Sequence, residues 1–214
     1  MKLILHPSVI YEVGVGGVNV SRAARYFGNP DVEVHLFDPI TEHMDQFRNY
    51  IKRFNIKNTH IHECCIGDKD GKVDIYECFE HSMILGLEGP NINKKQSPET
   101  YFGEKPVKIV SKDCFRISEF DKGNIDVILI DIEGGEWFVL KHLVSRPSMI
   151  WIELCENYGG GDFTNEHTDK ILQWMDINGY QAIQKLDLDV LFVKKQLMNL
   201  LSSTDGLVLG YRHF

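Results

Sequence analysis

The chain contains no C-x-x-C pair, and its five cysteines (Cys64, Cys65, Cys78, Cys114, Cys155) are odd in number. A zinc ribbon or a disulfide framework is therefore not expected, and a reducing, cytoplasmic setting fits. The cysteines read as small buried apolar residues. No stretch of about 20 apolar residues exists to cross a membrane. The early apolar run is broken by His6, Pro7 and Glu12, and no small-residue cleavage site follows, so no signal peptide is expected. Positive charge is short: 23 Lys and Arg face 31 Asp and Glu, a formal net charge of −8. That balance argues against a protein holding nucleic acid through its phosphates. What is present, 43% hydrophobic and 25% charged among 214 residues, excludes a disordered or collagenous chain. One domain over 1–214 with a single self-sufficient core is expected.

Short β-branched runs alternate with longer helical ones, the pattern of a parallel α/β protein. Strands are predicted over 9–13, 33–37, 60–64, 72–76, 107–110, 126–130, 149–154, 180–184 and 190–193. The run Asp126-Val127-Ile128-Leu129-Ile130 is nearly all apolar and reads as a central strand covered on both faces. Helices are predicted over 20–27, 41–54, 136–144 and 166–178. Asn19 or Ser21 would start the first. Thr41 would cap the second, with Glu42 or Asp45 in its first turn. Trp137, Leu140 and Val144 would form one stripe of the third, and Gly179 would stop the fourth. The segment 79–106 has little periodicity and many turn residues, and reads as a long excursion on the substrate side.

Three features carry chemistry. Glu12-Val13-Gly14-Val15-Gly16-Gly17 ends a strand before a helix, where glycine lets backbone and ligand approach closely. A dinucleotide fingerprint G-x-G-x-x-G fails, because its last glycine would fall at Asn19. Asp38 ends the second strand about 20 residues further on, where an acid can accept both ribose hydroxyls of an adenosine. Asp131-Ile132-Glu133-Gly134-Gly135-Glu136-Trp137 follows the central strand, and Glu153 ends the next one. Carboxylates leaving buried strands need cations, protons or a metal. For Glu133 and Glu136 a plainer role also stands, as acids at the N-terminus of the following helix.

The order of VGVGGVN, HLFDP, CCIGDKDGKVDIYE, NIDVILIDIEGGEWFVLKHL, SMIWIEL and LDVLFVKK resembles that of FkbM-type methyltransferases over roughly residues 9–195. IDIEGGEWFVL is the most specific piece. The resemblance implies a class I, Rossmann-like, S-adenosylmethionine-dependent fold: a three-layer sandwich on a mostly parallel seven-stranded sheet with an antiparallel last strand. It implies methyl transfer to an oxygen, often on a sugar, glycoconjugate or other small molecule. It places Glu12, Gly14, Gly16 and Gly17 around the methionine part of the cofactor and Asp38 on the ribose. Cys65, Ile66, Gly67 and Asp68 would lie near the adenine, and Asp131, Glu133 and Glu153 at the transfer site. Two positions depart from the family. Leu129 stands where a Lys is common, and Val18 stands where a further glycine is common.

A hydroxyl acceptor must lose a proton as its oxygen attacks. Asp131, Glu133 and Glu153 are the first candidates to take it, and His81 or His167 the second. Asp131 and Glu133 could hold a divalent cation, but a metal-free site is favoured. His60 and His62 share a strand face. They read as strand packing, because no cysteine or carboxylate completes ligand spacing along the sequence. With the first strand so near the start, acceptor contacts are expected from 79–106, from 156–165 with its Gly159-Gly160-Gly161 run, and from the C-terminal tail. Lys94, Lys95 and Lys105 could meet an anionic nucleotide-sugar, though lysines there also suit a solvated loop face. Two other classes stay open: an adenosine-binding module without activity, and an NAD-dependent oxidoreductase, which Asn19 and Glu12 disfavour.

Overall fold

The computed structural model describes residues 6–77, 83–84, 108–154, 167–186 and 188–202. Most of 79–106, all of 156–165, and with them His81, the three lysines and the glycine run, lie outside the described residues, as do Cys78 and Cys155. Eleven strands are described: β1 Val9–Val13, β2 Glu33–Phe37, β3 Thr59–His62, β4 Cys65–Ile66, β5 Gly71–Glu77, β6 Met83–Ile84, β7 Lys108–Phe115, β8 Val127–Ile130, β9 Met149–Glu153, β10 Tyr180–Leu186 and β11 Asp189–Lys194. The helices are α1 Thr41–Phe54, α2 Glu136–His142, α3 Thr168–Ile177 and α4 Lys195–Ser202.

Seven strands form one sheet in the order β10-β11-β9-β8-β1-β2-β3. Neighbours from β9 through β8, β1 and β2 to β3 run parallel, and β11 runs antiparallel to both β9 and β10. Side chains alternate across this sheet, so β1 alone feeds two cores. Ile10 joins Leu36, Leu129, Trp151 and the α1 residues Met44 and Phe47. Tyr11 and Val13 join Ile128, Ile150 and the α2 and α3 residues Val139, Leu140, Ile171 and Met175. The sheet is therefore the middle of three layers, as expected. Ile10, Leu36 and Phe47 are fully buried, each stabilising the fold by about 1.5–3 kcal/mol through apolar burial.

A second, four-stranded sheet has the order β4-β7-β5-β6. The chain leaves β3 at Glu63, turns through the Cys64 N–H to the His62 carbonyl at 3.0 Å, and enters β4. β5 and β7 pair antiparallel from Gly71↔Cys114 to Glu77↔Lys108. Ile40, Cys65, Val73, Ile75 and Cys114 form its small core. Burial pushes the Cys64 thiol up to about 12 and the Cys114 thiol to about 11. The three described cysteines are free buried thiols.

Several local expectations change. The segment 20–27 holds only a 3₁₀ turn, Ala23–Tyr26. It is enclosed by Gly17 and Gly28, and its start is fixed by a buried acid from β1 rather than by Asn19 or Ser21. Thr41 is the first helical residue of α1, not its cap. Ile40 holds the cap position, its N–H donating to Asp38 Oδ1 at 2.8 Å, while the Thr41 hydroxyl donates to Glu63. β3 stops at His62 because Cys65 is already in the other sheet. α2 ends at His142, leaving Val144 56% exposed rather than on the buried stripe. The sequence pattern did not anticipate α4, whose first residue is tied by the Lys195 N–H to the Gly179 carbonyl at 2.8 Å.

Candidate functional site

The carboxyl ends of β1, β2, β8 and β9 surround a cavity of about 390 Å³, a size typical of ligand sites. Glu12, Gly14, Gly16 and Asp38 line it on one side. Asp131, Glu133 and Glu153 continue the lining at the ends of the neighbouring β8 and β9, and Cys65 and Ile66 of β4 line it with Ile75 of β5. The parallel sheet makes this convergence, because every β-to-α connection leaves from the same edge.

The glycine turn is built for contact. The Gly14 N–H donates to the Phe37 carbonyl at 2.9 Å. Gly14 has φ +82°, and a Cβ there would lie 1.7 Å from the Asp131 carbonyl oxygen. Only glycine lets β1 and β8 close so tightly beneath the cavity. Glu12 is 2% exposed and works inward. Its Oε1 accepts the Arg22 N–H at 2.7 Å, and its Oε2 accepts the Ser21 hydroxyl at 2.5 Å and the Ala23 N–H at 3.1 Å. These three donors hold the start of the 3₁₀ turn against the glycines. Burial raises the Glu12 carboxyl above its ordinary range despite them.

Asp38 is buried at the end of β2. Its Oδ2 accepts the Gly16 N–H at 3.2 Å, and His43 Nδ1 lies 3.3 Å from both of its oxygens. The acid therefore clasps the glycine turn while still lining the cavity.

At the ends of β8 and β9, carboxylate oxygens of Asp131, Glu133 and Glu153 all lie within 4.8 Å of one another. Burial, with Asp131, Glu133 and Glu136 adding like charge, holds the Glu153 carboxyl well above the usual carboxylate range. It bonds to Asp131, while its buried Oε2 has no hydrogen-bond partner among the described residues. Glu133 adopts φ +54°, a left-handed conformation uncommon outside glycine. Glu136 holds it there from below: its Oε1 accepts the N–H groups of Ile132 at 3.1 Å and Gly134 at 3.0 Å.

The cation for this cluster is Arg22, which sequence reasoning missed. Its Nη1 lies 3.4 Å from Asp131 Oδ2 and its Nη2 2.5 Å from Asp189 Oδ2. The guanidinium stacks 5.5 Å over the Trp151 ring, and Trp151 is the register partner of Leu129. A positive charge thus reaches the sheet face where Leu129 supplies none. Burial opposes the Arg22 charge, but Asp189 and Asp131 outweigh it and raise the guanidinium further. On Asp189 burial outweighs the same pairing and raises the carboxyl. The two shifts differ in balance, and the short contact marks a real pair. An Arg soon after a glycine turn is the available signal, but Arg25 follows it, and the partners of Arg22 lie 109 and 167 residues away.

Four expected residues are placed elsewhere, Gly67 among them, its N–H donating to the Phe115 carbonyl at 2.9 Å outside the cavity lining. Asp68 is bonded to Lys141 Nζ at 2.6 Å and His142 Nε2 at 2.9 Å, outside the cavity lining. Gly17 also lies outside that lining, and its Cβ direction meets Gln46 Oε1 at 2.9 Å. His167 is 3% exposed at the start of α3, its ring edge-on to Phe138, and is not in the cavity either. Val18 packs against the α1-side core.

Comparison with solved structures finds three similar proteins among others. Monomeric WbdD aligns with TM-score 0.47 at 10% identity, covering 88% of this chain and 36% of that one. A SAM-dependent methyltransferase from Aquifex aeolicus aligns with TM-score 0.40 at 11% identity, covering 86% and 79%. An O-methyltransferase family protein from Burkholderia thailandensis aligns with TM-score 0.46 at 10% identity, covering 88% and 50%. The chain thus spans well under two thirds of WbdD and of the Burkholderia protein. No curated protein matches it. The sheet order, with its antiparallel β11, is that of a class I, Rossmann-like methyltransferase. A family model described as the methyltransferase FkbM domain matches residues 12–182. That span takes in the glycine turn, Asp38 and the Asp131–Glu136 loop, so the chain belongs to the FkbM family of S-adenosylmethionine-dependent methyltransferases.

Proposed function

We propose that the chain methylates a hydroxyl oxygen on a small molecule, with a sugar or nucleotide-sugar as the acceptor class. The observation that carries this is the group of three carboxylates, Asp131, Glu133 and Glu153, that lines the cavity beside the glycine turn. A hydroxyl acceptor needs such a group, because its proton becomes strongly acidic as the oxygen gains a bond.

The residues fit the cofactor. An acidic cavity suits a cation, the Gly14 and Gly16 backbone leaves room for close approach, and Asp38 offers carboxylate oxygens at the end of β2. When bound, S-adenosylmethionine supplies a methyl group already activated on a positively charged sulfur. The protein's own task is then to orient the acceptor and take its proton. In this reading Asp38 accepts the ribose hydroxyls, and Cys65 and Ile66 flank the adenine. Gly14 and Gly16 meet the methionine portion, with Glu12 fixing their turn from behind. Glu153, held protonated, donates to Asp131 and keeps that carboxylate oriented. Asp131 takes the acceptor proton, while Arg22 balances the charge that remains.

The same three oxygens would also fit a hard divalent cation. The favoured reading needs no metal, since Arg22 and the proton on Glu153 already offset the negative charge. A methyl-transfer assay over a panel of sugars and nucleotide-sugars tests both. Asp131→Asn is expected to lower turnover by about 100-fold or more while S-adenosylhomocysteine affinity stays within about threefold. EDTA is expected to leave the wild-type rate unchanged. Undiminished turnover in Asp131→Asn would remove the proton-acceptor role. Loss of rate in EDTA, restored by Mg²⁺, would assign the carboxylates to a cation instead.

A further inference from the structure

At the open edge of the main sheet, away from the cavity, β2 and β3 place four polar rings and acids on one face. The register pairs His35 with His60 and Phe37 with His62. Glu33 lies two residues before His35, on the same face of β2. The carboxylate that the local sequence around His60 and His62 lacked is thus supplied by the neighbouring strand. Glu33 Oε1 lies 2.9 Å from His35 Nε2 and 3.3 Å from His60 Nε2. One ligand atom from each of the three residues falls within 4.8 Å of the others.

We propose that Glu33, His35 and His60 form a binding site for a divalent transition-metal ion of the zinc, cobalt or nickel type. Bonds of about 2.0–2.2 Å from a tetrahedral zinc to nitrogen and oxygen put neighbouring donors about 3.3 Å apart. The two separations, 2.9 and 3.3 Å, match that figure or fall a few tenths of an ångström short of it. Two imidazoles and one carboxylate are a donor set that borderline cations favour over magnesium or calcium. The side chains of Glu33 and His60 are 46% and 47% exposed, so an ion can enter from solvent and keep water in its open positions. Lys122 acts on the same cluster from nearby, and the Glu33 carboxylate offsets its charge.

His35 is already positioned for this. It is only 15% exposed and stacked between Tyr11 and His60, with ring centroids 4.4 and 4.7 Å away. Its Nδ1 lies 3.0 Å from His62 Nε2. Without metal, His35 Nε2–H donates to Glu33 and His62 Nε2–H donates to His35 Nδ1. With metal on Nε2, the His35 proton resides on Nδ1 and donates to His62 Nε2, and the His62 proton resides on its own Nδ1. Each ring keeps one proton throughout, and His62 becomes the outer partner that fixes the ligating tautomer.

Calorimetric titration of the full chain with ZnCl₂ alone, in a non-chelating buffer, tests the site. One saturable site is expected in the wild type. Glu33→Gln and His60→Asn alter exposed positions and are each expected to weaken it by about tenfold or more. His62→Phe is expected to weaken it roughly ten- to a hundredfold. Asp131→Asn should leave it unchanged. Co²⁺ added to the wild type should shift the ring-proton resonances of His35 and His60 in NMR spectra, a readout that needs no variant. Absence of saturable binding, binding unchanged in Glu33→Gln and His60→Asn, or Co²⁺ shifts that avoid these two rings would each overturn the proposal.

Discussion

Glu136 offers a sharp test of how the carboxylate loop is held. It is 1% exposed, the first residue of α2, and its Oε1 carries the N–H groups of Ile132 and Gly134. Burial pushes its carboxyl from the ordinary 4.5 up to about 7, with Asp131 adding to the rise and the backbone donors opposing it. Each tenfold change in proton affinity is worth about 1.4 kcal/mol, so this gap corresponds to roughly 3 kcal/mol. The raised value means that the folded state binds the proton more tightly than the unfolded one. Stability from this group is therefore full at low pH. It falls as pH rises from about 4.5 to about 7 and is level above that. Glu136→Gln keeps an oxygen for Ile132 and Gly134 but cannot ionise. Urea unfolding of both proteins between about pH 5 and pH 8 should show the variant gaining on the wild type as pH rises. The difference should change by about 2.5 kcal/mol across that range, while a loss of about 1 kcal/mol to an imperfectly paired amide displaces the variant's curve without altering its slope. Glu153 adds a slope of the same sign to both proteins, somewhat smaller in the variant, which lacks the Glu136 charge that helps raise it. Parallel curves would refute the reasoning.

Asp38→Ala removes a charged acceptor from the proposed ribose contact and should weaken S-adenosylhomocysteine about tenfold or more in a calorimetric titration, with Asp38→Asn losing less. Arg22→Met leaves Asp131 and Asp189 without their cation. A loss of about 2 kcal/mol is expected in urea unfolding, below the 3–5 kcal/mol of a fully buried pair because the guanidinium is partly exposed.

Much of the fold is legible from local pattern. The apolar run 127–130 could only be a strand covered on both faces, and that burial is what the two cores impose. The cavity residues are findable because a parallel sheet delivers its strand ends to one edge, and Glu12, Asp38, Asp131 and Glu153 each lie within one residue of a strand end. Contacts set by register or long chain separation were not legible. Arg22 reaches Asp131 and Asp189 only once β8 and β11 are in place. Glu33 meets His60 only through the β2–β3 register. β4 is two residues long and pairs with β7, so no periodicity announces the second sheet. The spacing over 20–27 allows a helix, and the local sequence does not show otherwise. The outcome was decided by Glu12, which takes the N–H groups of Arg22 and Ala23 from the adjacent strand.

The central claim is that the cavity between the glycine turn and the Asp131 loop holds S-adenosylmethionine. Calorimetric titration of the wild type with S-adenosylmethionine, S-adenosylhomocysteine and NAD, repeated on Asp38→Ala, tests it most directly. The account expects stoichiometric binding of the first two, none of NAD, and weaker binding of both in the variant. Binding of NAD alone, or S-adenosylmethionine affinity untouched by Asp38→Ala, would contradict it.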